Sequence, residues 1–266
     1  MPSISPDLWF DTEAEVAATF YTSLFDDSRI TTIARYSEAG PGPEGSVMVV
    51  AFQLAGQDFT AVNGGQVPGF VFTPAISFLV YCETPDELDS LWNRLVDGGR
   101  ILMPLDSYPF SERYGWLEDR FGISWQLMLG SHAQKISPSL MFVGAQHGKA
   151  EEAIRHYIGL FENARLEYIE RYGPGEGQPE GMTKHAAFSL DGYRFVAMDS
   201  GLVHDFTFSP AISFVVNCET QAEVDYFWDR LSEGGATQEC GWLSDRYGVT
   251  WQIVPTVLGE LMSVQP

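Results

Sequence analysis

Positive charge is what this chain has least of. Its 266 residues include 15 Lys and Arg against 36 Asp and Glu, a formal charge of −21. Phosphate contacts need basic patches, so no nucleic acid is expected as a partner, and an anionic membrane surface is disfavoured on the same ground. Cysteine is scarce too. Cys82, Cys218 and Cys240 are too few for a disulfide framework and read as reduced thiols of a cytoplasmic protein. Long apolar runs are missing. Nothing approaches the roughly 20 residues of a membrane span, and the opening Met1-Pro2-Ser3-Ile4-Ser5-Pro6-Asp7 lacks the regions of a secretory leader. With 45% hydrophobic residues the chain still has enough for a core, and its length suits one or two domains.

An internal repeat organises the rest. Residues 70–99 match residues 206–235 at 18 of 30 positions without a gap, an offset of 136. The same offset pairs Tyr21 with Tyr157, Phe59 with Phe195 and Asn63 with Asp199. Further on, Gly115–Arg120 mirrors Gly241–Arg246 and Trp125-Gln126 mirrors Trp251-Gln252 at an offset of 126, so the first copy carries ten extra residues after Gly99. The opening strands, Leu8–Phe10 and Leu140–Phe142, lie 132 apart. Matching this dense is duplication. The expected organisation is a first domain at 1–130, a polar linker at 131–138 and a second domain at 139–266.

Within each copy the pattern reads strand, helix, three strands, then the same again. In the first, Ile4–Phe10 is an apolar strand. Thr12-Glu13-Ala14-Glu15 forms a capping-box sequence opening a helix with Val16, Phe20 and Leu24 on one face. Ile30–Tyr36, Val47–Leu54 and Phe59–Val62 follow as strands. Ala75–Cys82 is a continuous apolar strand, Thr84–Glu87 opens a second helix, and Gly98-Gly99 closes it. Ser124–Leu129 and Thr250–Pro255 end the two copies.

Two βαβββ units per copy, the string Leu8-Trp9-Phe10-Asp11 before Phe20-Tyr21-Thr22-Ser23-Leu24-Phe25, the Gly-Pro-Gly-Pro of residues 40–43, the Ala-Ile-Ser-Phe strands and the Asp-Arg-Phe/Tyr-Gly endings resemble PhnB-like members of the vicinal-oxygen-chelate (glyoxalase/bleomycin resistance/dioxygenase) superfamily. Some relatives carry the name 3-demethylubiquinone-9 3-methyltransferase. The resemblance implies an α+β fold: tandem domains, each of two βαβββ units forming an open, cup-shaped mixed sheet. It also implies a protein that is a monomer with pseudo-dimeric repeats or a homodimer.

The resemblance leaves the reaction open. Metal-dependent members place His or Glu on the first, fifth and last strands of a domain. The matching stretches here are Leu8–Phe10 and Leu140–Phe142, Ala75 and Ala211, and Gln126 and Gln252, so no catalytic metal and no cofactor are expected. A methyl donor of nucleotide type calls for a Gly-rich turn between a parallel strand and a helix. The Gly-rich stretches Asn63–Gln66 and Gly173–Gly181 read instead as hairpins or loops. The leading expectation is a small organic ligand, cationic or aromatic, held in an aromatic-lined cup by a metal-independent enzyme or a resistance or sequestration protein. A metal-dependent glyoxalase or dioxygenase-type lyase, a methyltransferase and a ligand-free scaffold are the alternatives.

Trp9, Trp116 and Trp242 are expected to line the cup, with Gln126 and Gln252 orienting the ligand by hydrogen bonds. Asn63 and Asp199 close equivalent strands and either point into the cup or cap a turn. His185, in place of Val49, is a ligand group or a structural one. Tyr108 and Phe110, in the ten-residue insertion, belong to a lid over a cup or to a structural strap. Cys82 and Cys218 are buried structural thiols. Cys240 lacks a neighbouring base to activate it, and each Asp-Arg pair is expected to pair locally or pin a turn.

Overall fold

A computed structural model describes residues 3–38, 40 and 42–257 of the chain. Met1-Pro2 of the opening, Pro41 of the Gly-Pro-Gly-Pro stretch and residues 258–266 lie outside the described residues.

Four βαβββ units follow one another. The first comprises β1 (Ser3–Phe10), α1 (Ala14–Thr22), β2 (Arg29–Arg35), β3 (Val47–Leu54) and β4 (Gln57–Asn63). The second holds β5 (Ile76–Cys82), α2 (Pro85–Leu95), β6 (Arg100–Tyr108), β7 (Ser111–Glu118) and β8 (Ser124–Leu129). The third is β9 (Ile136–Phe142), α3 (Ala150–Ile158), β10 (Arg165–Arg171), β11 (Thr183–Leu190) and β12 (Tyr193–Asp199). The last is β13 (Ile212–Cys218), α4 (Gln221–Ser232), β14 (Ala236–Thr237), β15 (Trp242–Ser244) and β16 (Thr250–Pro255). The fold is α+β. Its two mixed eight-stranded sheets run β14-β15-β16-β13-β1-β4-β3-β2 and β10-β11-β12-β9-β5-β8-β7-β6. The linker segment is partly strand, since Ile136–Pro138 begin β9. By compactness the chain divides into a unit of Asp7–Leu140 and one drawn from the residues before and after it.

Strand alternation decides what each face carries. Leu8, Phe10, Phe52, Phe59, Ala61, Phe78 and Trp125 are buried, and the rings of Phe52, Phe59, Phe78 and Trp125 meet in series in the core of the Asp7–Leu140 unit. Helix α1 lies against β3 of this unit, but not by the face read from the sequence. Val16 is 64% exposed, and the buried residues are Ala14, Ala17, Ala18 and Tyr21. Small side chains let the helix approach the sheet closely, and Tyr21 supplies the bulk. The Thr12 capping box does not form either; the N-cap is Glu13 and makes no side-chain cap bond. The second helices behave as expected. The Thr84 and Thr220 side chains accept from the Glu87 and Glu223 amides, and Thr220 completes a capping box.

Each Asp-Arg motif pins the turn before the last strand through its aspartate. Asp119 accepts from the Tyr21 hydroxyl (2.7 Å), Trp125 Nε1 (2.8 Å) and the amides of Phe121 and Ile123 (2.8 and 3.1 Å). Asp245 repeats the pattern with Tyr157 (2.6 Å), Trp251 (2.9 Å), Tyr247 (2.9 Å) and Val249 (3.0 Å). Four donors satisfy a carboxylate that would otherwise be costly to bury. Burial still pushes both aspartates above the usual carboxylate value, against the pull of those donors. The arginine is not the partner; the Arg120 guanidinium stands 4.3 Å from the centroid of the Phe20 ring.

The ten extra residues of the first repeat lengthen a hairpin. Strands β6 and β7 have nine and eight residues, where β14 and β15 have two and three. In the second repeat Cys240, at φ +58°, and Gly241 make the tight turn instead.

Candidate functional site

Strand register sets a Trp across from a Gln in both repeats. Trp116 stands opposite Gln126 across β7 and β8, and Trp242 opposite Gln252 across β15 and β16. Gln126, however, is buried, and its amide is spent inside the protein. Its Oε1 accepts from the Tyr114 hydroxyl (2.7 Å), and its Nε2 donates to Ser77 (2.7 Å) and Ser139 (3.3 Å). Gln252 Nε2 donates to Ser213 (2.9 Å), and Trp116 Nε1 to Ser124 (2.7 Å). Tyr108 and Phe110 pack their rings on Tyr114 at 5.7 and 5.0 Å. The hairpin aromatics thus cover this network, while Phe110 remains 62% exposed.

Asn63 and Asp199 serve helices across the fold, neither cup nor local turn. Asn63 Oδ1 accepts from the Ala14 amide (2.9 Å) at the start of α1. Asp199 Oδ1 accepts from the Gly148 and Ala150 amides (2.8 and 3.2 Å) at the start of α3, and its Oδ2 from Thr183 (3.1 Å). A strand residue 49 positions away caps what Thr12 was expected to cap, because helix N-termini need acceptors from any source. His185 lies on β11 with its Nδ1 2.8 Å from the Tyr168 hydroxyl and the two rings stacked. Burial, helped by the charge of Arg194, holds it below the usual histidine value. Arg194 is itself buried and donates to Glu167 (2.9 Å).

Trp9 sits elsewhere. It is the last residue but one of β1 and lines a cavity of about 270 Å³ in the Asp7–Leu140 unit. Its neighbours there are Phe10 and Asp11 from the strand end and Glu13 from the start of α1. Phe70 and Phe72 from the segment before β5, with Arg120 and Phe121 from the β7–β8 turn, also line it. The indole is held on two sides: Nε1 donates to the Gly65 carbonyl (3.0 Å), and the Phe70 ring lies 4.7 Å away. Asp11 accepts from Gln66 Nε2 (3.0 Å), and Glu13 from the Thr12 amide (3.0 Å). Each carboxylate keeps further acceptor capacity.

Of the residues proposed from the sequence, this cavity takes only Trp9. Asp11, Glu13, Phe70, Phe72, Arg120 and Phe121 were not foreseen as site residues. A signal for some of them was present: Trp9, Asp11 and Glu13 face Met141, Val143 and Lys149 in the repeat, a contrast that a shared structural role does not require.

Strand register puts Ser77, Leu79, Gln126 and Ser139 on one sheet face, and Asp7 with Thr60 on another. Asp7 accepts from Thr60 Oγ1. Leu8 and Phe10 point to the core, and Asp7, also buried, is an oxygen donor that β1 carries. Among the described residues no three His, Cys, Asp or Glu side chains are grouped to hold a metal ion. This donor set does not fit the metal triad implied by the resemblance. The buried thiols are poor nucleophiles, since burial pushes Cys82 up to about 12 and Cys218 to about 11. No helix among the described residues is long and apolar enough to cross a membrane.

The family model described as 3-demethylubiquinone-9 3-methyltransferase matches the chain twice, over residues 2–128 and 134–254. A PhnB protein from Bacillus cereus is 51% identical over 47% of this chain and 96% of its own, with a TM-score of 0.45. An uncharacterised protein of Mycobacterium tuberculosis is 28% identical over 134 residues, 47% of this chain and 73% of its own. Glyoxalase I from Zea mays is 12% identical and covers 98% of this chain and 96% of its own at a TM-score of 0.58, a likeness of fold.

Proposed function

The chain belongs to the 3-demethylubiquinone-9 3-methyltransferase, or PhnB-like, family, and on that premise we propose that it binds a small organic molecule in the aromatic cavity at Trp9. What carries this reading is the cavity itself, walled by the rings of Trp9, Phe70, Phe72 and Phe121. Its indole is already fixed by a hydrogen bond and a ring contact before any ligand arrives. Rings held in place lose little freedom on binding, which favours affinity.

Methyl transfer, the activity in the family's name, draws no support from the glycine-rich segments. Gly173–Gly181 connects the antiparallel strands β10 and β11, and Gly64-Gly65 follows β4 in the segment leading to β5. Neither opens a helix after a parallel strand, the arrangement in which backbone amides cradle a nucleotide. Binding is therefore the reading preferred over methyl transfer.

The test is a fragment screen of small aromatic and aliphatic compounds read by amide and indole NMR shifts. Hits should move the Trp9 indole proton and the Phe70 and Phe121 amides, and Trp9→Met should weaken them. Hits confined to the Tyr114–Gln126 face would reject this site.

A further inference from the structure

The ligand class of the Trp9 cavity follows from its charges, and resting on the binding reading above, we infer that it takes a small organic cation. Two carboxylates, Asp11 and Glu13, line it together with aromatic rings. A ring face attracts a cation through its quadrupole, and a nearby carboxylate adds direct attraction. One guanidinium, Arg120, lines the cavity as well, and it stands over the Phe20 ring at 4.3 Å and 5.9 Å from Phe121. The two carboxylates outnumber it.

The second repeat supplies an internal control. Phe70, Phe72, Arg120 and Phe121 keep their chemistry there as Phe206, Phe208, Arg246 and Tyr247. The residues that change are the indole and both acids: Met141 for Trp9, Val143 for Asp11 and Lys149 for Glu13. Even the glycine under the indole changes, with Ser200 at the position of Gly64. The retained residues are those that build the turn and the core in both copies. The altered set is the one that would contact a cation, so its chemistry is not needed to fold a βαβββ unit.

The formal charge of −21 adds a long-range field that concentrates cations near the surface. It does not choose a site, and the experiment separates the two effects. The probes are choline and 3,3-dimethylbutan-1-ol, which share a shape and differ in charge. Each is titrated into the full chain at low and at physiological ionic strength and followed by the Trp9 indole NMR signal. Choline is expected to bind about tenfold more tightly than the alcohol, within the range of a ring–cation contact reinforced by a carboxylate. Asp11→Val and Glu13→Lys, residues the other repeat already carries, should each remove most of that preference. Glu112→Lys makes the same charge change as Glu13→Lys on the distant hairpin and should leave the preference in place.

Equal binding of the two probes at Trp9 overturns the cation inference and leaves the binding site standing. If neither probe, nor any aromatic fragment, moves the Trp9 signal, the binding reading itself fails. A preference that Glu112→Lys removes as fully as Glu13→Lys assigns the effect to the global field and also overturns the inference.

Discussion

The Trp9 indole fills the space that a side chain on Gly64 would need. A Cβ built at Gly64 would overlap the six-membered ring of the indole, and the next residue, Gly65, accepts the indole hydrogen bond at 3.0 Å. Gly64 does not have a positive φ, so backbone strain is not what demands glycine there. The ring demands it. Gly64→Ser should therefore cost about 1–3 kcal/mol by overpacking and displace the indole. Adding Trp9→Met, which rebuilds the Met141/Ser200 pair of the other repeat, should recover part of the loss. A double-mutant cycle from urea unfolding reads the coupling, and additive effects would contradict this account.

Asp119 and Asp245 each accept four hydrogen bonds in a buried setting. Asp119→Asn leaves the donors Tyr21 and Trp125 facing an amide and should cost roughly 3 kcal/mol, as does removing one partner of a buried charged group. Asp245→Asn should cost a similar amount. Tyr21→Phe loses one bond and should cost about 1–2 kcal/mol. Guanidinium unfolding checks the order, and a loss from Tyr21→Phe that exceeds the loss from Asp119→Asn would show that the carboxylate is not the hub.

His185 makes stability depend on pH in one direction. Burial, with Arg194 adding to it, lowers its pKa below the ordinary 6.5, so the unfolded chain takes up the proton more readily. The contribution of the neutral ring is complete above the unfolded value and is lost as pH falls through the lower folded one. His185→Val, the counterpart of Val49, should thus lose less stability than the parent chain between roughly pH 7.5 and pH 5.5. The histidine C2 proton gives the folded pKa directly; a value above the ordinary one would reverse the sign.

The long hairpin separates exposed from buried aromatics. Phe110 is 62% exposed, whereas Tyr114 is buried and donates to Gln126. Phe110→Ala should change stability by no more than about 0.5 kcal/mol, and Tyr114→Phe should cost about 1–2 kcal/mol by leaving the Gln126 oxygen without its donor. Thermal unfolding of the two variants decides between this arrangement and a strap that depends on Phe110.

The repeat, the four βαβββ units and the caps of the second helices were all legible in the amino-acid sequence, because each is set by local spacing. Period-2 alternation, a Thr three residues before a Glu, and paired glycines act on neighbours in the chain. The partners of the Gln126 amide were not legible. Whether a glutamine faces a ligand or a tyrosine depends on which strands flank it, and Tyr114, Ser77 and Ser139 come from three other strands. The cap of α1 was missed for the same reason, since Asn63 reaches it across 49 residues of chain. The Trp9 cavity is the clearest case. Its walls come from the end of one strand, the start of one helix, the segment before β5 and a turn more than a hundred residues on. Sequence by itself determined that an indole and two acids stand near one another at the end of β1. Only tertiary structure decided that Phe70, Phe72 and Phe121 close around them, because packing brings distant rings together according to sheet order and not according to distance along the chain.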